Sequence, residues 1–120
     1  MALVSRLDPW APPLALMALI FFFSHQADLS SGLGVWDTIG RKIVHAAEYA
    51  LLCLLWWRAL AGVTMRGRAV IAAAVLSFVY AVSDEVHQSF IDGRHGSPVD
   101  VAIDSVGIAA TALWLRRRTG

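Results

Sequence analysis

Four apolar blocks divide this chain and leave few polar residues between them. The blocks cover residues 9–24, 43–57, 69–83 and 99–115. Charged residues make up only 16% of the sequence and hydrophobic residues 58%, whereas about a quarter of the residues in a soluble domain are charged. With so few charges, four helices cannot each present a polar face to water. The pattern therefore predicts helices that face lipid.

Each uncharged block is shorter than the roughly 20 residues that cross a bilayer, but the polar residues at its ends extend it to that length. The Ala and Leu content favours helix, and the alternation typical of strands is absent. A cleaved signal peptide for the first block and a soluble four-helix bundle stay open as alternatives. We predict one all-α domain over residues 1–120, a four-helix transmembrane bundle with helices at about 9–25, 39–61, 69–91 and 98–116.

The placement of aromatic and basic residues predicts how the bundle is oriented. All five tryptophans fall near block ends, where interfacial aromatic belts lie. One side of a four-span arrangement carries Arg6, Arg58, Arg66, Arg68 and Arg116–118, and the other side carries Arg41, Lys42 and Arg94. The positive-inside rule therefore predicts that both termini are cytoplasmic. The lone Cys53 excludes an internal disulfide, and a net charge of +1 gives no reason to expect a nucleic-acid partner.

Ionisable residues concentrate in the segment SDEVHQSFIDGRHGSPVDVAIDS, which joins the third and fourth blocks at 83–105. It contains five carboxylates, two histidines and one arginine. In the N-in arrangement this segment and the start of the second helix lie on the same, outer side. Ionisable groups at membrane depth usually face protein or water and usually have a function. We therefore expect a polar cluster near the extracytoplasmic surface.

Helical spacing selects the residues of this cluster. Lys42, His45 and Tyr49 share one helix face, and Asp100 and Asp104 share another, one turn apart. Gly107 continues the second face and would let a neighbouring helix approach closely, so this face is predicted to look into the bundle. The predicted ligand-binding residues are Lys42, His45, Glu48, Tyr49, Asp84, Glu85, Gln88, Arg94, Asp100 and Asp104.

The same residues carry a resemblance to the VanZ-like family of small multi-pass bacterial membrane proteins. The chain resembles the family in four ordered motifs: FFFSHQADLS at 21–30, KIVHAAEYALL at 42–52, DEVHQSFIDGR at 84–94 and DVAIDSVG at 100–107. The resemblance implies a four-helix membrane fold, located in the plasma (inner) membrane of a bacterium. It also implies a link, through the founding member, to resistance against teicoplanin, which acts on cell-wall precursors outside the cell. Asn is common in the family where Asp104 stands, which implies that a second carboxylate is not essential there.

Three functions compete for this cluster. The first is binding or remodelling of a cell-envelope lipid or cell-wall precursor, in which Lys42 and Arg94 hold a phosphate; this predicts a lateral or outward-facing groove. The second is a membrane-embedded, metal-dependent hydrolase or phosphoryl transferase that acts on a lipid-linked substrate. Its candidate catalytic residues are His45, Glu48, Asp84, Glu85 and His87, and its candidate ligands for a divalent metal are Glu85, Asp100 and Asp104.

The third function is structural and needs no ligand. Buried ion pairs would fix the register of the helices, and the pairs considered from sequence are Lys42–Glu48, Arg94–Asp100 and His87–Asp84. Burying a whole cluster of charges only to set register would be costly, so binding is favoured over this reading. Whether the protein is an enzyme, and whether a metal is its cofactor, is not decided by the sequence.

Overall fold

The computed structural model describes residues 8–25, 35–90 and 98–119 of the chain. These residues form four helices: α1 (Ala11–His25), α2 (Val35–Leu60), α3 (Arg66–Gln88) and α4 (Pro98–Thr119). The prediction of an all-α fold with four helices is confirmed.

The helix ends follow from local sequence. α4 begins at Pro98, which suits the first turn because its backbone has no N–H to leave unpaired, and Asp100 follows in that turn, where a negative charge complements the helix dipole. α4 continues to Thr119 rather than stopping near 116, because arginine is a good helix former and basic residues suit the last turn. α2 begins at Val35, earlier than the expected 39, and α3 ends at Gln88, earlier than 91.

Contacts between side chains show how the helices run. Residues 42 and 45 of α2 meet residues 100 and 104 of α4, so these two helices are parallel. Trp10, beside the start of α1, meets Trp56 near the end of α2, so α1 runs antiparallel to α2. α2 packs most extensively against α4, whereas α1 lies against α2 and α3. We call the end of the bundle where α2 and α4 begin the polar end, and the opposite end the arginine end.

The tightest helix contact is between α2 and α4. A side chain at Gly107 would place its Cβ 2.2 Å from the carbonyl oxygen of Ala46, so only glycine allows the two backbones to lie this close. Around this contact the core is small and made mainly of Ile20, Tyr49, Leu52, Cys53, Ala73, Ala81 and Ile108.

Apolar side chains cover much of the outside of the bundle. Only 22% of the most apolar stretch of α2 and 39% of that of α3 is buried, whereas the core helix of a soluble protein is mostly buried. Exposed apolar surface on this scale is typical of a protein that contacts lipid. The surface is formed by residues such as Ile43, Leu51, Ile71, Val79 and Val106, which are 46% to 67% exposed.

Two helices are long and apolar enough to cross a membrane, over Ile39–Leu60 and Gly67–His87. α2 and α3 contain 26 and 23 residues, which correspond to about 39 and 34 Å against a hydrocarbon layer of about 30 Å. α1 has 15 residues and reaches only about 22 Å. α4 is long enough, at 22 residues, but carries Asp100, Asp104 and three terminal arginines. A four-span topology with both termini inside therefore stays a prediction.

Candidate functional site

The polar end of the α2–α4 interface carries an exposed ion pair. Lys42 Nζ donates a hydrogen bond to Asp100 Oδ1 at 2.9 Å, and the two side chains are 38% and 29% exposed. Lys42 thus pairs across to α4 rather than along its own helix with Glu48. Six residues along a helix correspond to well over one turn and a half, so Lys42 and Glu48 lie on different faces.

One turn deeper, His45 approaches Asp104. Nδ1 of His45 lies 3.7 Å from Oδ1 of Asp104, which is a charge contact but too long for a hydrogen bond. The His45 side chain is 23% exposed and that of Asp104 is completely buried. Within the described part of the chain, neither carboxylate oxygen of Asp104 accepts a hydrogen bond. Asp104 is therefore fully buried and lacks the hydrogen bonds that a buried carboxylate normally has.

Four other carboxylates surround Asp104. Glu85, Asp84, Asp100 and Glu48 lie close enough for their charges to repel its charge. Asp84 and Glu85 are themselves buried, at 4% and 6% exposure. α2, α3 and α4 thus bring together acidic residues that are far apart in the sequence.

Tyr49 is the neutral member of this region. It is fully buried in the core, and its hydroxyl donates a hydrogen bond of 3.3 Å to Oδ2 of Asp84. Lys42, His45 and Tyr49 thus contact α4 or α3 from one face of α2, as their spacing predicts. Tyr49 links the buried carboxylates of α3 to the apolar core beneath them.

Of the other predicted residues, His87 has a described ring contact, whereas the side chain of Gln88 and the whole of Arg94 lie outside the described residues. The ring of His87 stacks on Phe21 of α1, with centroids 4.4 Å apart. Gln88 ends α3, but its side chain lies outside the described residues, as does the whole of Arg94. The predicted pair Arg94–Asp100 therefore has no structural test.

Two polar groups inside α3, one buried and one part-buried, were not predicted from sequence. Ser77 is fully buried in the middle of α3, and the hydroxyl of Tyr80 donates a hydrogen bond to the backbone carbonyl of Met17. Their positions in the middle of the third apolar block, away from the charged segment, gave no signal beyond a lone polar residue in an apolar helix. The Tyr80 bond fastens α1 to α3 and thereby supports the helix that carries Asp84 and Glu85.

The described carboxylates do not by themselves form a metal centre. Among residues 8–25, 35–90 and 98–119, no three His, Cys, Asp or Glu side chains are arranged to hold one ion. Of the predicted metal ligands, Asp100 is paired with Lys42 and Asp104 faces His45. Among the described residues, this geometry gives the metal-dependent enzyme no specific support.

Comparison with known protein families identifies the family to which the chain belongs. A family model described as VanZ/LLP1 matches residues 10–117. The chain belongs to the VanZ/LLP1 family. The match includes α1, α2, α3 and all but the last residues of α4, so it spans both sides of the acidic region. Searches of curated proteins and of solved structures found no match.

Membership of the VanZ/LLP1 family agrees with the lipid-facing surface. VanZ proteins are membrane proteins, and this member has two helices that are long and apolar enough to span a bilayer. The two observations together identify it as a membrane protein and argue against the soluble bundle.

Proposed function

We propose that this VanZ/LLP1 protein spans the membrane four times with both termini in the cytoplasm. Its polar end then faces outward and binds the head group of a cell-envelope lipid or lipid-linked cell-wall precursor. Binding is centred on the buried carboxylates around Asp104, and Lys42 lies at the entrance. The greater number of arginines at the arginine end supports this orientation.

The observation that carries the proposal is the state of Asp104. Burying a carboxylate is unfavourable unless hydrogen bonds or an opposite charge compensate it. Asp104 is fully buried, its oxygens accept no hydrogen bond within the described residues, and the nearest ring nitrogen of His45, which carries a charge only when protonated, is 3.7 Å away. A hydrogen-bond donor from outside those residues would lower the free-energy cost of burying this carboxylate. A bound ligand with hydroxyl or ammonium groups would supply one.

The charges around Asp104 indicate which ligand groups suit the site. Buried carboxylates accept hydrogen bonds and attract cations, so they suit the hydroxyl and amino groups of a sugar, peptide or ethanolamine head group. Lys42 is the cation at the entrance, and its bond with half-exposed Asp100 can be exchanged for one with a phosphate. A phosphorylated head group that also carries hydrogen-bond donors therefore fits both parts.

One observation favours a structural function instead. The contacts Lys42–Asp100 and His45–Asp104 both join α2 to α4, and Gly107 packs the same two helices against each other. Charges arranged in this way could fix the register of α2 and α4 without any ligand. In that case the variants that alter them should change stability alone.

Retention of native lipid distinguishes the two functions. The protein is purified in mild detergent, and co-purifying lipids and metals are identified by native mass spectrometry. Binding predicts a stoichiometric phosphorylated lipid that is lost in Asp104→Leu, which removes both acceptor oxygens, and reduced in Lys42→Gln. A matched control is Arg41→Gln, because Arg41 is an exposed cation next to Lys42 but has no described partner at the site. If the wild type retains no lipid whose amount falls in both the Asp104 and the Lys42 variant but not in the Arg41 control, the structural function is favoured.

Orientation is tested separately. The single native cysteine is first removed by Cys53→Ala. One new cysteine is then introduced, either by Trp36→Cys at the polar end or by Arg68→Cys at the arginine end. Both positions are suitable because the native side chains are exposed. A membrane-impermeant maleimide added to intact cells should label the first protein and not the second. The reverse labelling would place the polar end inside the cell.

A further inference from the structure

A second feature of the α2–α4 interface lies toward the arginine end. Beyond the contact of Gly107 with Ala46, the two helices leave an open lateral groove of about 300 Å³. A water occupies about 30 Å³ in the liquid, so the groove has room for roughly ten water-sized groups, such as the methylenes of one hydrocarbon chain. It is lined by Ala50, Leu51, Leu54, Ala110, Thr111 and Trp114.

The lining residues explain why the groove exists and which kind of ligand group fits in it. Ala50 and Ala110 are too small to fill the gap between the helices, and apart from the hydroxyl of Thr111 the lining side chains are apolar. The groove lies on the same outer surface as exposed Leu51 and Leu113, which are 46% and 59% exposed. An apolar chain entering from the bilayer can therefore lie in it without desolvating charged groups.

Positive charge lies at one end of the groove. The indole of Trp114 forms part of its wall, and the guanidinium carbon of Arg118 lies 4.8 Å from the centre of that ring. Arg116, Arg117 and Arg118 are all exposed in the last turn of α4. Clusters of arginine beside a membrane helix attract anionic lipid head groups.

Negative charge at this end is already neutralised among the described side chains. The carboxylate of Asp8 accepts a 2.7 Å hydrogen bond from Arg58, the basic residue in the last turn of α2. The three arginines at the end of α4 therefore retain net positive charge beside the groove. This complementarity favours an anionic lipid over a zwitterionic one.

We propose that the groove is a binding site for one anionic phospholipid. One alkyl chain lies between α2 and α4, and the phosphate contacts the arginines at the end of α4. Ala110 and Arg118 are eight positions apart on α4, a distance of about 12 Å along the helix, which is within the hydrocarbon thickness of one leaflet. The site is separate from the polar end and does not depend on the function proposed there.

The test is competition between two phospholipids with identical chains. Detergent-purified protein is mixed with equimolar phosphatidylglycerol and phosphatidylcholine, and retained lipid is measured by native mass spectrometry. Wild type should retain one phosphatidylglycerol in preference to phosphatidylcholine. Arg118→Gln should lower that preference by about fivefold, the expected effect of one arginine near an anionic surface, whereas Arg68→Gln, an exposed arginine at the same end, should lower it less.

A second pair of variants tests the groove itself. Ala50→Leu fills it and should weaken retention by about tenfold, because the added atoms occupy the space of the chain. Ala109→Leu is the control, since Ala109 is exposed on α4 and does not line the groove. Equal retention of both lipids by wild type, or unchanged retention in Ala50→Leu, would overturn the site. So would a dimer of the wild type that disappears in Ala50→Leu, because a second copy would then occupy the groove.

Discussion

Substituting Gly107 by alanine tests the α2–α4 contact on which the arrangement of the polar end depends. The added Cβ would lie 2.2 Å from the carbonyl oxygen of Ala46 and 3.0 Å from its carbonyl carbon. These are backbone atoms, so no side-chain rotation can relieve the clash. Restoring the 3.4 Å at which ordinary contact begins requires the helices to separate locally by about 1.2 Å.

The expected effect is a large loss of stability for one methyl group. Overpacking of this kind costs about 1–3 kcal/mol, and here backbones rather than side chains must move. The unfolding free energy in mixed detergent micelles should therefore fall by at least about 2 kcal/mol in Gly107→Ala. Because the clash is with a main-chain oxygen, adding Ala46→Gly should not restore stability.

Two other helical glycines are matched controls. A Cβ at Gly40 in α2 or Gly67 in α3 would meet nothing within 4 Å. Alanine is the better helix former, so Gly40→Ala and Gly67→Ala should leave stability unchanged or raise it by about 0.5–1 kcal/mol. If Gly107→Ala behaves like these controls, α2 and α4 are not held at the distance described here.

Three further outcomes follow from individual contacts. Tyr49→Phe removes the hydroxyl that donates to buried Asp84 and should lower the unfolding free energy by about 1–3 kcal/mol; an unchanged value would mean that this bond is not formed. Lys42→Gln breaks a half-exposed pair with Asp100 and should cost less than about 1 kcal/mol, and a loss of several kcal/mol would show a structural role. The fully buried thiol of Cys53 should react with a membrane-permeant maleimide only after denaturation, and rapid labelling of the folded protein would contradict its burial.

The sequence predicts which segments form helices better than it predicts which side chains pair between those helices. The four apolar blocks and their helix-forming residues predict four helices, and the spacing of Lys42, His45 and Tyr49 predicts which face of α2 meets the other helices. Gly107 predicts a close helix contact because it has no side chain to keep a neighbouring backbone away. These features are local, because they depend on helical periodicity and on side-chain size.

Interactions between helices could not be predicted from helical periodicity and side-chain size. Whether Lys42 pairs with Asp100 or with Glu48 depends on the relative register of α2 and α4, which no single helix specifies. The groove beside Trp114 depends on two alanines that lie far apart in sequence. It is apolar and lies toward the opposite end of the bundle, so the groove expected at the polar cluster stays a prediction. The stacking of His87 on Phe21 likewise depends on how α1 lies against α3.

The central claim is that Asp104 is kept for binding at the expense of stability, and Asp104→Leu tests it most directly. The measurement pairs the unfolding free energy in detergent with the amount of phosphorylated lipid that co-purifies. Removing a fully buried carboxylate that accepts no hydrogen bond among the described residues should raise stability by about 1 kcal/mol or more. It should also abolish retention of the lipid bound at the polar end, whereas the phospholipid in the lateral groove should still be retained. A strongly destabilised protein that retains its lipid would contradict the account, because Asp104 would then hold the helices together and not the ligand.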